Sequence, residues 1–181
     1  MRVHLYEGGL TPLVAHSGVG QAICHQRAML AEAGVELTDG WKGRADAVHI
    51  NTVLPDAPLA ALRARLRGET VVWYGHSTME DFRESFVGSN RLAPLFRRWL
   101  CVCYGLADVV VTPTPYSRRI LEGYGLKKPV YALSNGVDTE FFAPDPARGT
   151  AWRARQQQRP RPEAGDQRGP FYGAQGNFRV H

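Results

Sequence analysis

Six short apolar runs limit what this chain can fold into. They are Arg2–Tyr6, Val35–Thr38, Ala47–Thr52, Val71–Tyr74, Val109–Val111 and Pro129–Leu133. Most are rich in β-branched or aromatic residues and end at glycine or polar groups, as buried strands do. Helical patterns lie between most of them. Strands that alternate with helices return in the same direction, which gives a parallel sheet covered by helices on both faces. The expectation is a three-layer α/β domain, with a mostly parallel sheet and the strand carboxyl ends gathered at one edge.

The fourth run carries the strongest functional signal. It leads into Gly75-His76-Ser77-Thr78-Met79-Glu80-Asp81-Phe82, read as a polar loop with two carboxylates. A buried strand that delivers His, Ser, Thr, Glu and Asp at its carboxyl end is how an open α/β sheet presents a site. The plainer reading of His76 is an ordinary histidine at a strand end. Near the amino terminus, Ser17-Gly18-Val19-Gly20 leads from a strand and loop into a helix that stops at Gly34. That arrangement can turn backbone N–H groups toward an anion, or it can be a close-packed turn. Neither a phosphate-cradling P-loop nor a full G-x-G-x-x-G is present.

Two helices stand out. Pro55 opens one with Leu59, Leu62 and Leu66 on one face and Arg63, Arg65 and Arg67 around the other. The second carries Leu92, Leu95, Phe96, Trp99, Leu100, Cys103 and Leu106 along one stripe, with Arg91, Arg97 and Arg98 off it. It reads either as a core helix with a solvated arginine face or as a basic amphipathic helix on an anionic membrane surface. Further on, Thr114 caps a helix that begins at Pro115.

The formal net charge of +5 could suggest nucleic acid, but its distribution argues otherwise. Residues 1–145 hold 15 basic and 15 acidic residues, so the excess lies wholly in the tail. No nucleic-acid partner is expected. Cys24, Cys101 and Cys103 form no metal-ligand or disulfide pattern, and no metal site is expected. The amino terminus reads as a strand and not a signal peptide, and no apolar run approaches the roughly 20 residues that span a bilayer. A cytoplasmic protein, or one peripheral on the inner face of the cell membrane, is expected. From Asp138 to Arg179 there is no Val, Ile, Leu or Met. A folded domain is therefore expected over residues 1–153, with a last helical turn ending near Trp152, and a disordered Arg/Gln/Pro/Gly-rich tail over 154–181.

Several stretches, in order, resemble the family 4 glycosyltransferases. Asn135-Gly136-Val137-Asp138, followed by Phe142 and Pro144, looks like the signature that closes that family's amino-terminal domain. Ser17-Gly18-Val19-Gly20 sits where the family has its first glycine-rich turn. Thr114-Pro115-Tyr116-Ser117 with Tyr124-Gly125 resembles its penultimate helix. The run from His76 to Asn90 is similar to a branch of Gram-positive bacterial enzymes that transfer a hexose onto diacylglycerol.

The resemblance implies a Rossmann-like domain forming one half of a GT-B fold, the amino-terminal half that shapes the acceptor side. It implies transfer from a nucleotide sugar such as UDP-glucose to a lipid acceptor, with retained anomeric configuration and no metal or resident cofactor. By position, His76 would approach the transferred sugar as the catalytic residue. Gly18 and Gly20 would lie near the donor diphosphate. Ser77, Glu80, Asp81 and Arg83 would bind or border the substrate, and Arg97, Arg98 and Trp99 are the membrane-facing candidates. The family's carboxy-terminal donor domain is missing from this sequence, so the chain alone is expected to be inactive. The alternative is a non-catalytic α/β module that binds a membrane or a partner.

Overall fold

The computed structural model describes residues 1–9, 18–38, 40, 43–136, 143 and 145–157. Ser17, Asp138, Phe142, Pro144 and the tail from 158 lie outside the described residues. The chain divides into two compact units, Met1–Gly136 and Val137–His181. In the second, the described residues form one helix, Pro146–Gln157, which continues past Trp152.

The first unit is built in the order β1 (Arg2–Tyr6), α1 (Gly18–Glu32), β2 (Glu36–Thr38), β3 (Ala47–Ile50), α2 (Ala57–Leu66), β4 (Thr70–Tyr74), α3 (Met79–Phe82), α4 (Ser89–Gly105), β5 (Val109–Thr112), α5 (Pro115–Glu122) and β6 (Val130–Ala132). The strands form one sheet in the order β2-β1-β3-β4-β5-β6, and every neighbouring pair is parallel. This is the Rossmann-like α/β layout expected. The central strands are covered on both faces and so carry near-continuous apolar sequence. Val48, Ile50, Val71, Trp73, Leu100, Tyr104, Val110 and Leu121 make the main core.

The order also locates the crevice. From β1 the chain steps outward to β2, then returns to the other side of β1 to build β3 through β6. The carboxyl ends of β1 and β3 therefore carry connections that leave in opposite directions, and the gap between them is where open α/β sheets bind ligands. Two glycines shape that edge. Gly8, just past β1, has φ of +91°, and a Cβ there would sit 3.0 Å from Thr52 Cγ2. A Cβ on Gly75 would meet Leu121 Cδ1 at 2.9 Å. The chain therefore leaves β4 pressed against α5, and His76 follows at the sheet edge.

Three expectations change. In α2 the buried residues are Ala57, Ala60, Ala61 and Ala64, whereas Leu59, Leu62 and Leu66 are exposed, Leu66 at 82%. Both sets recur at helical spacing, so periodicity alone does not choose between them. Small side chains let the helix backbone lie close on β3 and β4. In α4 the apolar stripe splits. Leu100 and Cys103 enter the core beside Tyr104, while Leu92 and Leu95 are exposed and Phe96 and Trp99 half-buried. Finally, the loop after His76 contains a helical turn, α3. Thr78 caps it, its Oγ1 accepting from Asp81 N–H and donating to Asp81 Oδ2.

Candidate functional site

A pocket of about 180 Å³ opens at the carboxyl ends of β1, β3 and β4. Glu7 comes from the end of β1, Asn51 and Val53 from the end of β3, and Tyr74, His76 and Ser77 from the end of β4. Val19 in the first turn of α1 completes the wall. The pocket thus occupies the position that the strand order singles out. Beside it, the Gly9 N–H and the Tyr6 hydroxyl both donate to Asp56 Oδ2, at 2.6 and 2.8 Å. Burial pushes the Asp56 carboxyl up, but these two donors, together with the backbone N–H groups of Asp56 and Ala57, outweigh it and hold the group below the usual carboxylate range.

His76 lies at the front of a buried line of polar side chains. Its Nε2 is 3.1 Å from Asn51 Oδ1. Asn51 Nδ2 donates to Gln26 Oε1 at 2.8 Å, and Gln26 Nε2 lies 3.2 Å from His49 Nδ1. The Tyr74 ring stacks on His76, with centroids 6.0 Å apart. Burial lowers the pKa of His76 and takes that of His49 down to about 4. Both rings are therefore neutral at neutral pH, since taking a charged imidazolium out of water is unfavourable without a paired anion. A neutral His76 can give or accept a hydrogen bond at a substrate but brings no full positive charge.

Of the other residues singled out in the sequence, Ser77 lines the same pocket, and its carbonyl accepts from Tyr104 Oη at 2.7 Å. Gly20 is buried in α1. Gly18 lines a neighbouring depression of about 200 Å³ with Gln21, His25, Asn135 and Gly136. The first glycine-rich turn and the Asn135-Gly136 turn, far apart in sequence, therefore meet at one place. Glu80 Oε2 accepts from Tyr124 Oη at 2.7 Å, and Tyr124 Oη in turn accepts from Met79 N–H. Asp81 is engaged by Thr78. Both carboxylates thus hold α3 in place, and Arg83 caps its end with an exposed side chain.

Arg97 lies over the Tyr124 ring, 4.8 Å from its centroid, and donates to the Gly123 carbonyl. Arg98 is exposed. Phe82, Leu92, Leu95, Phe96 and Trp99 line an open apolar depression of about 410 Å³. Trp99 Nε1 donates to Val53 O at 2.7 Å, and Val53 lines the His76 pocket. The His76 pocket and the apolar depression are therefore joined by the Trp99–Val53 hydrogen bond. Among the described residues, no group of three or more His, Cys, Asp or Glu is placed to hold a metal ion, and no helix is long and apolar enough to cross a membrane.

Sequence reasoning missed Gln26, His49 and Glu7. Gln26 had a visible signal, being the polar member of an otherwise apolar stripe, Ala22, Ile23 and Leu30, on α1. His49 had none, because a histidine inside a strand reads the same whether or not its ring is partnered.

The chain is 37% identical over 143 residues to the processive diacylglycerol alpha-glucosyltransferase of Acholeplasma laidlawii. That match takes in 78% of this chain but spans only 42% of the relative's length. Among solved structures, Anabaena HepE in complex with UDP and glucose aligns with a TM-score of 0.47 and 13% identity, over 86% of this chain and 50% of that one. The family model described as Glycosyltransferase Family 4 matches residues 14–141, most of the chain, and the chain belongs to that family.

Proposed function

We propose that this chain forms the acceptor-side half of a retaining hexosyltransferase, one that moves a hexose from a nucleotide sugar, UDP-glucose, to the hydroxyl of a lipid such as diacylglycerol. The observation that carries the lipid reading is the Trp99–Val53 hydrogen bond that joins the apolar depression to the His76 pocket. An amphiphile laid across Val53 and Trp99 would place its hydroxyl beside His76 and Ser77 and its hydrocarbon against Phe82, Leu92 and Leu95. The relative from Acholeplasma, named for diacylglycerol, supports the same acceptor class.

In the reaction the bond from the sugar's anomeric carbon to the diphosphate breaks and a bond to the lipid oxygen forms, with the hydroxyl proton passing to the nucleoside diphosphate as it leaves. Preorganised donors around that leaving group do most of the work in such a transfer. On this reading the half described here orients the acceptor and one side of the sugar. Exposed Arg91 and Arg98 on α4, beside Leu92 and Leu95, suit a peripheral position on an anionic membrane surface.

A photoreactive diacylglycerol tests the acceptor reading. Its label should fall on Phe82, Leu92, Leu95, Phe96 or Trp99, be competed by diacylglycerol, and be lost in Leu95→Glu. Labelling elsewhere, or unchanged by that substitution, overturns it. A half-site cannot bring two reactants to attack distance. The 181-residue chain alone should therefore transfer no glucose from UDP-glucose, and measurable transfer would refute the half-site reading.

A further inference from the structure

The polar line behind His76 has a direction, and that direction sets what His76 can offer a substrate. A side-chain amide nitrogen only donates and an amide oxygen only accepts. Gln26 presents Oε1 to Asn51 Nδ2 and Nε2 to His49 Nδ1. In that orientation of Gln26, His49 Nδ1 is the bare, accepting nitrogen of its ring. Asn51, with its amide nitrogen on Gln26, must turn Oδ1 toward His76. Flipping Asn51 alone would set its own oxygen against Gln26 Oε1, lone pair to lone pair; only turning both amides together reverses the line, and His76 Nε2 would then accept. In the line as it stands Asn51 Oδ1 only accepts, so His76 Nε2 must carry the ring hydrogen. The ring's remaining nitrogen, Nδ1, is then an acceptor without a hydrogen.

We infer that Gln26, acting through Asn51, is a positioning residue that holds His76 as its Nε2–H tautomer, so that Nδ1 accepts a hydrogen bond from a substrate hydroxyl. The inference rests on the proposed role of His76 beside the transferred sugar or its acceptor, and it narrows that role. A bare Nδ1 takes a hydrogen from a sugar or lipid hydroxyl. It gives nothing to a diphosphate oxygen, which is itself only an acceptor. His76 thus selects for a hydroxyl at its position, and the diphosphate must be held by other groups. His49, Gln26 and Asn51 are each below one tenth exposed, so water does not compete for the orientation of the two amides.

Two-bond proton–nitrogen spectra of the histidine rings, recorded on the ¹⁵N-labelled 181-residue chain at neutral pH, read the tautomers directly. His76 and His49 should both appear as Nε2–H. Gln26→Leu frees the Asn51 amide to turn, and His76 should then shift toward the Nδ1–H form. Gln26→Glu still accepts from Asn51 and should keep the His76 tautomer. It also turns an acceptor toward His49 Nδ1, which should gain a hydrogen. A residue that merely fills space would leave the His76 tautomer unchanged in Gln26→Leu, and that result overturns the inference. So does a wild-type His76 with its hydrogen on Nδ1. Should Gln26→Leu fail to fold, an unaltered His49 in Gln26→Glu is an equally decisive refutation. The readout needs neither donor nor turnover. A wrong tautomer would leave the transferase reading standing, and loss of that reading would leave the tautomer as measured.

Discussion

Burial of His49 should make this protein lose stability in acid. The ring is 8% exposed and burial takes its pKa from the ordinary 6.5 to about 4. Above the ordinary value the ring is neutral in both the folded and unfolded chain and contributes nothing to the pH dependence. As the pH falls below that value the unfolded chain takes up a proton that the folded chain refuses. Stability is therefore complete above about pH 6.5 and drains away until the folded-state pKa near 4 is reached. Each pKa unit corresponds to about 1.4 kcal/mol, so the gap removes about 3 kcal/mol. Against a typical domain stability of about 5–15 kcal/mol that is a large fraction. His76, also lowered by burial, adds to the slope in the same direction. The variant His49→Gln isolates the His49 share, because a glutamine oxygen can still accept from Gln26 Nε2 but cannot titrate. Urea unfolding of both proteins, at steps from about pH 7 to about pH 4, gives the comparison. The wild-type curve should fall away from the variant's by about 3 kcal/mol over that range. Parallel curves would show that His49 takes its proton as readily folded as unfolded, and would refute the reasoning.

Three further outcomes follow from packing and charge. Ala61→Leu should cost about 1–3 kcal/mol by overfilling the contact between α2 and the sheet, while Leu66→Ser stays within about 0.5 kcal/mol; urea midpoints in the reverse order would mean that the leucine face is the packed one. Gly75→Ala should lose about 1–3 kcal/mol because its methyl would press on the buried Leu121, and the loss should shrink when Leu121→Val is added; a neutral Gly75→Ala would contradict the close approach of β4 to α5. Arg98→Ala should weaken binding to vesicles containing anionic lipid about fivefold, the worth of one basic residue near such a surface at about 1 kcal/mol. Arg97→Ala should instead lower stability by about 0.5–1 kcal/mol through its lost place over Tyr124; vesicle binding that falls equally for both would put Arg97 on the lipid side.

The sheet was legible because its evidence is local. Each strand is a compact apolar run, and alternation with helices leaves parallel pairing as the economical topology. Which side of a helix faces the sheet was not legible in α2, where alanine and leucine stripes share one period and only the depth of the helix–sheet contact separates them. The position of His76 was readable from its place after a buried strand, and so was the polar end of the strand at Asn51. Their connection was not. Gln26 lies 25 residues before Asn51 in the chain and meets it only because β1 and β3 are neighbours with α1 packed over them. Glu80 and Asp81 show the converse. Two carboxylates after a strand-end histidine read as site residues, yet the nearest polar groups, Tyr124 and Thr78, engage both in holding the chain. A sequence displays residue types at a strand end, but not how many of their hydrogen-bonding positions the fold has already used.

That distinction bears on why a polar line runs through this part of the interior at all. β3 is buried at all four positions, and an apolar residue at 49 would fill the same layer without any loss in acid. Replacing satisfied buried polar partners together by apolar groups of similar shape is often neutral or stabilising. The line from His49 to His76 is therefore not what holds the sheet together, and its acid sensitivity is a cost the fold could avoid. It runs instead to the one edge where the strand order opens a crevice, and ends on a histidine kept neutral and turned by its neighbours. Interior polarity of this kind is expected where geometry at a site matters more than the last few kcal/mol of stability. Stability and site geometry thus pull on the same residues. The His49 titration measures the first, and the His76 tautomer measures the second.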